Sequence, residues 1–217
     1  MRLPRPERYR WSGRVYDAIS LERPLYRAPR VAGIDLLRLE PGDAVLDLGC
    51  GTGLNFPLLA ERVGAAGRII GVDASTGMLA QARRRAESER WSHVRLVHAD
   101  AAELDPGALR ALTPGGRGVD AVLATYALSI IPGWRQAWAL AGRAARPGAR
   151  GVVVDLGLPT GPAAPLAPLA RLACLAGGSD PHRDPGGALL ADADARSHER
   201  FLGGHVRVDA GTLPAAT

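Results

Sequence analysis

V-L-D-L-G-C-G-T-G, residues 45–53, decides how this chain is read. An apolar run, Val45, Leu46 and Leu48, carries one acid, Asp47. It passes directly into glycines at every second position: Gly49, Gly51 and Gly53. Leu54 to Val63 follows with helical spacing. The stretch therefore predicts strand, tight turn and helix. Glycines in such a turn let backbone approach a ligand closely and permit positive φ. The helix behind them aims its first N–H groups into the crevice.

Two phosphate-binding readings fail on spacing. A dinucleotide fingerprint needs G-x-G-x-x-G, but Leu54 occupies the slot of the third glycine. A phosphate loop needs G-K-[ST], and the chain has no lysine. A carboxylate two residues before the glycines suits a ligand with positive charge. At these residues the chain resembles motif I of the class I S-adenosylmethionine (SAM) methyltransferases, whose cofactor is a sulfonium with an ammonium group and no phosphate. Two further acids strengthen the resemblance. Asp73 ends the second predicted strand, Arg68 to Val72, where a carboxylate can accept from both ribose hydroxyls. Asp100 follows the third, Val94 to His98, where the family accepts from the adenine amino group.

The resemblance implies a Rossmann-like, doubly wound sheet of seven strands in the order 3-2-1-4-5-7-6. The sheet is mostly parallel with an antiparallel last strand, and helices cover both faces. It also implies that Asp47, Gly49, Gly51 and Gly53 hold the methionine part of SAM and Asp73 the ribose. Asp100 with Ala101 would hold the adenine, and Thr125 would seat the amino acid. S-adenosylhomocysteine would be the product, and no acid cluster suggests a metal.

The rest of the chain fits one domain, residues 1–217: a helical cap over 1–40, a cofactor-binding core over 41–156, and a substrate-side segment with a closing hairpin over 157–217. Helices are expected at Arg8 to Ile19, Pro24 to Leu39, Leu104 to Leu112 and Gly133 to Arg146. Further helices are expected at Leu166 to Leu175 and Leu189 to Glu199. Val206 to Ala210 is the expected seventh strand, inside a hairpin over Arg200 to Asp209. Ser75 or Thr76 caps the helix after strand two. Met78 either packs the core or touches the adenine.

Strand four, Asp120 to Thr125, runs on as Y-A-L-S-I-I-P-G-W. In a doubly wound sheet the chemistry lies beyond the carboxyl ends of strands one and four. Tyr126 and Ser129 stand there, and Tyr126 is the candidate catalytic group, with a histidine from elsewhere as the alternative. No D/N-P-P-Y segment of adenine methylation is present, and no aspartate base of the related polyamine synthases. With no evident base, an amine acceptor is preferred, because a neutral amine needs none.

Residues 125–138 also resemble a segment of bacterial methyltransferases that N-methylate lipid head groups. Quinone C-methyltransferases share the core motifs. N-methylation of a small or lipid amine is thus the first expectation. C- or O-methylation of a quinone or natural product is the alternative, and a non-catalytic SAM-binding protein is a rival of another class. Tyr9, Tyr16 and Tyr26 either pack helices or roof a substrate pocket, and aromatic faces would suit a cation. Trp134 stands either in the core or at the substrate mouth, and His182 with Arg183 could meet an anionic group.

Composition is permissive. The chain of 217 residues is 47% hydrophobic, carries a net charge of +5, and all its basic residues are arginine. That charge is compatible with contact at a membrane surface, and no nucleic-acid partner is expected. Two cysteines, Cys50 and Cys174, make no disulfide framework. No signal peptide and no run of about 18 apolar residues is visible, so a cytoplasmic protein is expected.

Overall fold

The apolar run before the glycines forms strand β1 (Ala44–Leu48), buried along its whole length. Burial on both faces is what a central parallel strand requires. The computed structural model describes residues 25–214. In it, β1 pairs in parallel with β2 (Arg68–Asp73) on one side and β4 (Val119–Thr125) on the other. Strand β3 (Val94–His98) lies outside β2, and β5 (Ala145–Leu156) outside β4, both parallel. Strand β7 (Val206–Thr212) runs antiparallel beside β5, and β6 (Asp194–Phe201) pairs antiparallel with β7 at the edge. The order β3-β2-β1-β4-β5-β7-β6 is the one the motif reading implied.

Period-two alternation along β1 sorts its side chains between two cores. Leu46 and Leu48 join Ile70, Val72, Val122 and Val153 on one face. That face is covered by α4 (Pro106–Ala111), α5 (Trp134–Ala144) and α7 (Pro185–Asp192). Val45 joins Ile69, Leu123 and Val152 on the other, under α1 (Arg27–Leu36), α2 (Phe56–Val63) and α3 (Thr76–Ser88). Asp47 and Thr125 share the face of Val45 and Leu123, so they look toward α1 and α2. Helix α1 lies close on β5: a Cβ at Gly33 would come within 2.4 Å of Val154 Cγ2.

Helix starts follow cap chemistry. Ser75 accepts from the Met78 N–H ahead of α3. Asp105 and Asp184, each followed by proline, start α4 and α7.

The C-terminal third corrects the expected pattern. The helix expected over Leu189 to Glu199 ends at Asp192, and Asp194 to Glu199 belong to β6. This segment is polar on both faces and lacks strand alternation. Its ladder to β7 and the His198–Asp209 hydrogen bond hold it extended. The helix expected over Gly133 to Arg146 ends at Ala144, and Arg146-Pro147-Gly148 lies within β5, where the register with β4 shifts. Helix α6 (Ala167–Ala176) stands where an apolar helix was expected, preceded by a 3-10 turn over Gly161–Leu166. The helix expected at Arg8 to Ile19 lies outside the described residues.

Candidate cofactor and acceptor site

The glycine loop sits at the carboxyl ends of β1 and β4. Gly49 has φ 73° and Gly51 φ 55°, a region that L side chains avoid. A Cβ on Gly49 would meet Ala127 Cβ at 2.6 Å, whereas one on Gly51 would meet nothing within 4 Å among the described residues. Backbone at Gly51 therefore borders open space, as a cradle does.

Under this loop lies a buried polar knot. Asn55, just ahead of α2, donates from Nδ2 to Asp47 Oδ1 at 2.8 Å and to Thr125 Oγ1 at 3.0 Å. Arg30 of α1 donates to Asn55 Oδ1 and, at 3.1 Å, to Thr125 Oγ1. Asp47 is fully buried, and its Oδ2 has no hydrogen-bond partner among the described residues. Burial raises its pKa to about 7, against the lowering pull of Asn55 and Arg30; Asp73 adds a further raising field. An orphaned buried carboxylate oxygen is costly unless a donor completes it. An ammonium group is such a donor.

Asp73 ties the loop to β2. Its Oδ2 accepts from Gly51 N–H at 2.9 Å and its Oδ1 from Ser75 N–H at 2.8 Å. Burial raises its pKa, while those two bonds oppose the shift. Asp100 accepts from Ala102 N–H at 2.9 Å, opening a 3-10 turn that begins at the buried Ala101. Met78 is buried. His98, which contacts the Ala74 carbonyl oxygen at 3.0 Å, braces the turn after β2. Cys50 is buried, and burial raises its pKa well above the usual thiol value, so it serves as a small packed residue against Gly71.

Beyond β4 the chain turns at Tyr126, whose φ of 54° is strained for an aromatic residue. Its hydroxyl donates to the Tyr26 carbonyl oxygen at 2.9 Å, and Tyr26 meets its ring edge-on at 5.3 Å between centroids. The Arg30 guanidinium lies over the Tyr126 ring at 5.3 Å. Tyr26 Oη stands 3.4 Å from Nε2 of His205, a buried residue at the start of β7.

A second buried chain lies on the opposite face of the sheet. Asp155 of β5 accepts from the Ser129 N–H at 2.8 Å and from its hydroxyl, and Ser179 Oγ donates to Ser129 Oγ at 2.6 Å. Ser129 is thus fully engaged in binding the loop after β4 to β5.

The remaining predicted residues separate clearly. Trp134 packs into the core with Ala137 and Leu140, and Arg135 covers its ring at 4.2 Å. Arg183 donates to the Ile131 carbonyl oxygen at 2.6 Å and pairs with Asp180, which fastens its loop; His182 is exposed. Tyr9 and Tyr16 lie outside the described residues. Sequence reasoning missed Arg30, Asn55 and His205. Asn55 had a signal: it is the amide directly after the loop. Arg30 and His205 had none, since α1 and β7 reach the site only through the tertiary fold.

The residues suit a SAM-like ligand: an orphan acceptor for its ammonium, a glycine cradle, and acids following β2 and β3 for its adenosine. Asp47, Gly51, Asp73 and Asp100 would hold it, and it supplies an activated methyl group. Among the described residues no group of three His, Cys, Asp or Glu could hold a metal ion.

Known proteins agree with this geometry. Residues 45–148 match the model of a methyltransferase domain family. The chain is 32% identical over 146 residues to a demethylmenaquinone methyltransferase of Shouchella clausii (strain KSM-K16), covering 67% of this chain and 58% of that one. It is 30% identical over 123 residues to an aklanonic acid methyltransferase of Streptomyces sp. (strain C5), covering 56% and 50%. The chain thus spans between half and three fifths of these relatives. A SAM-dependent methyltransferase structure from Aquifex aeolicus superposes with a TM-score of 0.61 at 15% identity, over 94% of this chain and 98% of that one. By its domain match over residues 45–148 and its sheet order, this chain is similar to methyltransferases of the class I fold.

Proposed function

We propose that the protein, as a single domain, transfers the methyl group of SAM to oxygen or carbon of an apolar, hydroxyl-bearing aromatic or quinone-type acceptor. The observation that carries this reading is Arg30 over Tyr126. The aromatic roof beyond β4 already faces a cation. A second cation would be repelled there, whereas a phenolate or enolate would be attracted. Amine N-methylation was preferred because no base was evident, and His205 beside Tyr26 removes that ground. The names of the relatives, a demethylmenaquinone and an aklanonic acid methyltransferase, point the same way. The protein's part is largely alignment and exclusion of water, and orientation alone can remove about 7–11 kcal/mol of barrier.

The acceptor is taken up at an anionic membrane surface. Leu166, Leu169, Leu172 and Leu175 on and before α6 are 58–67% exposed, unlike nearly all other large apolar side chains described. Residues 157–179 contain one charged residue, Arg171, and no acid, so nothing there opposes an anionic surface. A helix of ten residues is about 15 Å long, too small for the roughly 800 Å² per partner of a standard dimer interface.

The test is product analysis. Methyl-labelled SAM would be offered with naphthols, a reduced naphthoquinone and primary amines, and products resolved by mass spectrometry and NMR. Label on oxygen or carbon supports the proposal. Label on nitrogen restores the amine reading. Saturable SAM binding with no transfer to any acceptor favours a binding protein.

A further inference from the structure

The ring of His205 is clamped. Its Nδ1 lies 2.9 Å from the Gly157 carbonyl oxygen, which can only accept, so Nδ1 carries the proton of the neutral ring. The Gly157 N–H donates back to the His205 carbonyl oxygen at 2.9 Å. Nε2 is thereby left with its lone pair toward Tyr26 Oη, 3.4 Å away. Tyr26 in turn meets Tyr126, the residue that turns the chain beyond β4. The antiparallel direction of β7 brings this histidine to the carboxyl edge of the sheet, where Leu156 pairs with Val206.

We propose that His205 and Tyr26 form a proton relay for the methyl acceptor, with the Tyr26 hydroxyl touching the acceptor and His205 Nε2 receiving the proton. This rests on the reading of the acceptor as a hydroxyl or carbon acid. The acceptor's lone pair makes the new bond to the methyl carbon, and the old carbon–sulfur pair stays on sulfur. The acceptor's proton passes to Tyr26 Oη as the tyrosine's own proton passes to Nε2. The imidazolium then returns its proton to solvent, so Tyr26 ends as it began. Burial and the neighbouring Cys174 of α6 raise the Tyr26 pKa, which keeps it a hydroxyl able to relay. Among the described residues, the other charged groups near this corner are Asp155, which acts on Cys174, Arg207 of β7, and Arg30 over the adjoining Tyr126 ring. The Arg207 guanidinium lies against Gly157 and pairs with Asp184 at 3.2 Å.

His205→Asn keeps a donor for the Gly157 carbonyl but removes the base, and Tyr26→Phe breaks the relay while keeping the ring. With a hydroxyl acceptor, each is expected to lower kcat by about 10²-fold or more, and the double variant no further. The acid limb of the pH profile should vanish in both, and rates should recover above the acceptor's own pKa, which a structural defect would not allow. Binding of S-adenosylhomocysteine by calorimetry should stay within about twofold of wild type. In the ligand-free protein, nitrogen NMR should show the Nδ1–H tautomer at His205. Wild-type rates in His205→Asn with the acid limb intact, or an Nε2–H tautomer, would overturn the relay alone. A wild-type enzyme that methylates only amines would overturn the relay together with the acceptor reading.

Discussion

Asp47 concentrates the cost of a ligand-free site in one carboxylate. Its folded-state pKa, about 7, lies above the ordinary value of 3.8, so the folded protein holds this proton more tightly than the unfolded chain. The group's favourable contribution is therefore complete below pH about 4 and is lost as pH rises through about 7. Asp47→Asn should stabilise the ligand-free protein at pH 8 by on the order of 2–4 kcal/mol and change little at pH 4, as read by urea denaturation. The same variant should bind SAM at least tenfold more weakly at pH 8. Wild-type affinity should fall below pH 7, as the carboxylate proposed to meet the ammonium becomes protonated. Gly49→Ala probes the loop itself. With φ at 73° and Ala127 Cβ at 2.6 Å, it should cost about 2–4 kcal/mol of stability. A loss under 0.5 kcal/mol would mean that the loop relaxes freely.

At the scale of elements, strands and helices separate by what each owes to its neighbours. β1 and β2 were legible because apolar runs ending in acids or glycines have few other solutions. β6 was not, because nothing in A-R-S-H-E-R marks a strand; β7 imposes its extension through the ladder. Of the site, the glycines and acids were legible, as they lie on elements whose ends converge by topology. Arg30 was not legible, because its role depends on α1 crossing β5 and β7 closely enough to reach Thr125. Helix α6 offers the test at this scale. Leu169→Gln with Leu172→Gln should lower sedimentation with anionic phospholipid vesicles severalfold while leaving the melting temperature within about 2 °C, since both side chains are exposed. Unchanged sedimentation would remove the membrane from the proposal.

For the whole molecule, ligand and fold are coupled through the same loop. Asp73 holds Gly51 and is a proposed cofactor residue, so S-adenosylhomocysteine at 100 times its Kd should add about 2.7 kcal/mol of stability, visible as a thermal shift. Asp73→Asn should abolish most of that shift while the protein remains folded. The insertion of β7 between β5 and β6 has a further consequence, in the order of events during synthesis. The proposed cofactor residues all precede residue 126, so their strands can pair while the rest is still being made. β6 is finished earlier than β7 yet has no partner until β7 slots in beside β5. The last strand of the sheet to emerge is therefore the one that fastens the outer edge and delivers His205. A chain stopped short of β7 would leave α1 and β6 without the strand they pack on and pair with, and the proposed relay without the strand that holds its base in place.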